Sequence, residues 1–91
     1  MIARIKEMEA RYDELTRVLG ELESAIAEYK TFKVDLEILR GYMDSGQWKE
    51  DFEADEAGRI PDSVKRGVLS EDGLYDLLRD ADRILEMARE L

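Results

Sequence analysis

The chain contains no cysteine and no histidine. Without cysteine there is no disulfide and no thiolate to attack a substrate or hold a metal. Without histidine, Cys–His pairs, Ser–His–Asp triads and the common structural zinc sites are excluded too. Carboxylates, lysines, tyrosines and backbone amides are what remains for chemistry. No apolar run is long enough to cross a bilayer, and the start carries no signal-peptide pattern. A cytoplasmic protein is therefore expected, with no cofactor and no catalytic residue assigned.

What is present is charge interspersed with regular apolar residues. The 91 residues are 44% apolar and 41% charged, a mixture typical of helical bundles and coiled coils rather than of disorder. The size suits one small domain, 1–91, near the limit at which a single core suffices. A formal charge of −9 disfavours nucleic acid and anionic membrane surfaces as partners. The charge is uneven: between Asp44 and Asp62, Asp44, Glu50, Asp51, Glu53, Asp55, Glu56 and Asp62 face only Lys49 and Arg59.

Spacings of three and four run through Ile5, Met8, Tyr12, Leu15, Leu19, Leu22, Ile26 and Tyr29, and continue as Phe32, Leu36, Leu39 and Met43. This alternation predicts one amphipathic helix from about Ala3 to Met43, in which Gly20 is the poor helix former. The stripe shifts along the way. Lys33 and Arg40 stand where its first half would continue, and a parallel row through Val18, Ala25 and Phe32 takes over. Where both rows coexist the apolar face is broad, which suits bundle-like packing better than a strict two-stranded coiled coil.

Gly41 and Asp44-Ser45-Gly46 signal the end of that helix. Ser45 is placed to cap a short second helix, about 46–56, with Trp48 and Phe52 one turn apart and Gly58 as its stop. A loop over 57–69 carries Ile60-Pro61, extended at Ile60, and a single turn opened by Pro61. Ser70 is placed to cap a last helix, about 70–90, through Leu74, Leu77, Ala81, Ile84, Ala88 and Leu91, widened by Leu78 and Leu85. The architecture expected is all-α: a long helix packed against a short acidic helix and a C-terminal helix. At 1.5 Å per residue the three helices measure about 60, 15 and 30 Å. The later two cannot cover the first, so its early part is expected to meet a second copy in an antiparallel or crossed homodimer.

The densest run of unusual residues is W-x-x-D-F-E-x-D-E-x-G from Trp48, then Pro61, then K-R-G-V-L-S-E-D-x-x-Y-D-L-L from Lys65 to Leu78. This string resembles the signature of a family of small bacterial proteins described only as a domain of unknown function. The resemblance implies a small, all-helical, cytoplasmic protein and carries no activity, cofactor or site residue with it.

Four readings of this stretch compete with blander ones. Asp51, Glu53 and Asp55 match the first, third and fifth positions of an EF-hand loop, but Glu56 stands where glycine is required; a short acidic helix is the better account. Lys65 and Arg66, with the amides of Ser70 to Gly73, suggest an anion pocket, though pairing with Asp51, Glu53, Asp55 or Glu56 is favoured. Acids one turn apart, among them Asp72, Asp76 and Asp80, suggest a magnesium-dependent all-helical hydrolase, yet they fall on the side expected to face solvent. Trp48, Phe52, Tyr42, Tyr29 and Tyr75 suggest a binding groove, while Trp48 and Phe52 closing the end of the bundle is preferred. The function expected is a non-catalytic interaction or structural module, homodimeric through the long helix, with an unidentified protein as a second possible partner. Trp48, Asp51, Glu53, Asp55, Lys65, Arg66, Ser70 and Asp72 are the residues expected to organise its loop.

Overall fold

A computed structural model describes residues 1–91 and contains three α-helices and no strand. They are α1 (Ile2–Asp44), α2 (Gln47–Glu56) and α3 (Gly73–Arg89), with a single 3-10 turn at Gly67–Leu69. The all-helical class expected from the spacing is the one observed. None of these helices is long and apolar enough to cross a membrane. The chain falls into two compact units, Met1–Lys33 and Val34–Leu91.

The first unit is helix alone, and every one of its residues is exposed. Gly20 does not interrupt it. Its charged side chains pair along the helix: Arg11 with Glu7 at 2.9 Å, and Arg17 with both Glu14 at 3.0 Å and Glu21 at 2.9 Å. Such exposed pairs contribute about 0.2–0.5 kcal/mol each, too little to compensate for a bare apolar stripe.

The second unit holds the packed part of the molecule. In it the last turns of α1 pack against α2 and α3. The helix runs through Gly41, expected to help end it, and stops after Asp44; the Ser45 amide donates to the Gly41 carbonyl at 2.9 Å. Gly46 then takes a left-handed φ of +85°, which a side chain would resist. The Ser45 hydroxyl oxygen accepts the Gln47 amide at 3.2 Å, so Ser45 serves the start of α2 from one residue before the Gly46 cap. At the other end of α2, Gly58 is left-handed (φ +73°). Its amide donates to Asp55 and that of Arg59 to Ala54, both at 3.0 Å, which is the Schellman arrangement.

Only Leu69 and Leu74 are buried, 7% and 3% exposed. Half-buried Leu36, Leu39, Met43, Trp48, Phe52, Leu78, Ala81 and Leu85 complete the apolar packing. The buried row of α3 is thus Leu74-Leu78-Ala81-Leu85, on the side of the expected stripe widened by Leu78 and Leu85, while Leu77 and Ile84 are 51% and 53% exposed. With this roll of the helix, Asp82 of α3 forms an ion pair with Arg40 of α1. The pair explains Arg40, a charge on the apolar stripe of α1. Within the second unit the half-buried residues of α1 are Leu36, Leu39, Arg40, Tyr42 and Met43.

Candidate functional site

Trp48 lies in the first turn of α2 and its ring stacks on Phe52 one turn later, with centroids 5.0 Å apart and planes 17° from parallel. The indole N–H donates to the Val68 carbonyl at 2.9 Å. This bond ties α2 to the 3-10 turn, at the residue before the buried Leu69. Trp48 is half-buried, so its polar edge is consumed internally rather than offered to a ligand.

The acids of α2 are dispersed. Asp51 accepts the Tyr42 hydroxyl at 2.6 Å. Burial first, and then the hydrogen bond and charge of Asp51, push the Tyr42 phenol up to about 12. Asp55 accepts Arg66 at 2.7 Å, with Asp62 a second, longer partner of the same guanidinium at 3.7 Å. Glu53 is exposed and makes no ion pair. The spacing of Asp51, Glu53 and Asp55 therefore sends successive side chains around a helix instead of into a loop. No group of three acidic side chains in the molecule is arranged to hold a metal ion.

Lys65 and Arg66 part company as well. Arg66 takes the internal pairing with α2, while Lys65 is exposed and unpaired. Ser70 caps as expected, but for a later start: its hydroxyl oxygen accepts the Gly73 amide at 3.1 Å, and α3 begins at Gly73 rather than near residue 70. The Asp72 side chain makes no cap bond; its carbonyl accepts the Asp76 amide at 2.8 Å. A Cβ on Gly73 would collide with the Ser70 hydroxyl and lie 3.2 Å from the Gly67 carbonyl, so a side chain here would displace the Ser70 hydroxyl from the Gly73 amide. Asp76 and Asp80 have side chains about half exposed and pair along the helix with Arg79 at 3.3 Å and Arg83 at 3.7 Å.

Trp48, Asp55, Arg66 and Ser70 thus brace one loop, and Asp51 anchors α2 to α1 through Tyr42. Glu53, Lys65 and Asp72 take no part through their side chains. Three organisers escaped sequence reasoning: Tyr42, Gly73 and the Arg40–Asp82 pair. Arg40 on an apolar stripe was the one visible signal, since a charge there needs a partner. The other unassigned surface is the α1 stripe in the first unit, where a shallow open depression is lined by Leu19, Leu22, Glu23 and Ile26.

The chain belongs to the family Domain of unknown function (DUF4298), whose model matches residues 5–91. No curated protein and no solved structure matches the chain.

Proposed function

We propose, with membership of that family as the premise, that the chain is a non-catalytic interaction or structural module that self-associates through α1. The observation that carries this reading is exposure of the stripe in Met1–Lys33. Ile5, Met8, Tyr12, Leu15, Leu19, Leu22, Ile26 and Tyr29 are between 37% and 68% exposed. A contiguous apolar row on a helix with no covering element is the mark of an interface. The braced loop in the second unit supports the same reading, because its charged and aromatic groups are engaged with one another.

The test is the molar mass of the intact chain by sedimentation equilibrium or light scattering at micromolar concentration. A dimer that dissociates when Leu19 and Leu22 are replaced by Glu is expected. A monomer throughout the micromolar range would defeat the reading.

A further inference from the structure

Resting on that self-association reading, we infer that the two copies of Met1–Lys33 lie antiparallel, with Leu19 against the partner's Leu22 and Glu9 paired with the partner's Lys30. The repeat itself calls for a helix as occupant. From Ile5 to Tyr29 the apolar positions keep a strict seven-residue repeat. On a straight helix such a stripe drifts about 20° per heptad, and it stays in contact only when two helices wind around each other.

Charge selects the register. With Ile5, Tyr12, Leu19 and Ile26 as one seam row and Met8, Leu15, Leu22 and Tyr29 as the other, Glu9, Glu23 and Lys30 flank the seam on one side. Glu7, Glu14, Arg17 and Glu21 fall on the outer face and contribute to the ion pairs within the helix. Glu9 and Lys30 have no ion pair within the chain. In an antiparallel pair, like-named flanking positions meet across the seam. Setting Leu19 opposite the partner's Leu22 brings Leu15 onto Ile26, Tyr12 onto Tyr29, and Glu9 beside Lys30, each twice by symmetry. A slip of one heptad in one direction sets Glu9 against Glu23. A slip in the other leaves both Glu9 and Lys30 unpaired. A parallel pair in register would press Lys33 onto its own copy in the seam, whereas here it faces Met8. The same register also uses the broad face: Val18 meets the partner's Ala25 on the opposite flank.

The experiment measures dimer dissociation constants of the full chain carrying Glu9→Lys, Lys30→Glu, or both. Each single swap sets like charges together twice and is expected to weaken the dimer about tenfold; the double swap restores it to within about threefold. Because the chain has no cysteine, cross-linking gives an independent reading. A mixture of Tyr12→Cys and Tyr29→Cys chains forms mixed disulfide dimers, while neither variant alone does so. A wild-type dimer whose double swap is as weak as the two singles combined, or in which Tyr12→Cys links to itself, overturns this register and leaves self-association standing. A wild-type monomer overturns both.

Discussion

Replacing Trp48 probes the point at which α2, the 3-10 turn and the buried leucines meet. A tryptophan side chain buries about 150–250 Å² when fully covered, and Trp48 is only partly so. At about 25 cal/mol per Å², roughly 100–150 Å² of lost burial corresponds to about 2.5–4 kcal/mol as an upper range. The indole hydrogen bond to Val68 adds about 1 kcal/mol, and freed side-chain entropy returns a comparable amount. Trp48→Ala should therefore cost about 3 kcal/mol. Trp48→Phe keeps an aromatic ring for Phe52 and loses chiefly the bond to Val68, at about 1 kcal/mol. Urea unfolding followed by far-UV circular dichroism, at one fixed protein concentration, separates the two. For a chain of this length about 3 kcal/mol corresponds to a fall of 12 °C or more in Tm. If Trp48→Ala costs less than about 1 kcal/mol, the aromatic pair does not hold the loop onto α2 and the account of that loop is wrong.

Tyr42 gives a pH signature. Its hydroxyl is held protonated in the folded chain, so its contribution is present below pH 10 and lost as pH rises towards about 12. The tyrosinate absorbance step near pH 12 should vanish in Tyr42→Phe, whose stability should also fall less over that interval than that of the wild type. Asp55→Ala, which leaves the half-buried Arg66 with only the distant Asp62, should cost about 1–2 kcal/mol in chemical unfolding. Gly73→Ala, favourable in an ordinary helix, should instead lower stability by about 1 kcal/mol, because the Ser70 cap must shift. Magnesium or manganese at millimolar concentration should move Tm by less than about 1 °C; a rise of several degrees would reveal a carboxylate site and favour the hydrolase reading.

The helical character of the chain was legible because its apolar spacing is long and regular, and because glycine and serine mark the breaks. The details that were misjudged share one cause, which is that they depend on a neighbour. Leu74, Leu77, Leu78, Ile84 and Leu85 offer two equally apolar rows, and which of them is buried depends on the packing of the neighbouring elements, with Leu78 and Leu85 turned inward. Ser70 can serve a helix starting at several nearby positions, and the sequence does not distinguish a start near residue 70 from the observed start at Gly73. The loop residues divided similarly. Arg66 found Asp55 within reach, while Lys65, next to it in the chain, points elsewhere and stays in solvent. In the sequence Asp51 is one acid among several and Tyr42 one aromatic among several, and nothing in their spacing marks them as acceptor and donor of one hydrogen bond.

The most direct test of the central claim is sedimentation equilibrium of the unaltered chain across the micromolar range. A dimer whose mass halves in Leu19→Glu/Leu22→Glu, with α2 and α3 still folded by Trp48 fluorescence, is the predicted result. A single-chain mass at every concentration, with the α1 helix intact by circular dichroism, would mean that this row of leucines and tyrosines is content in water and that no second copy is needed.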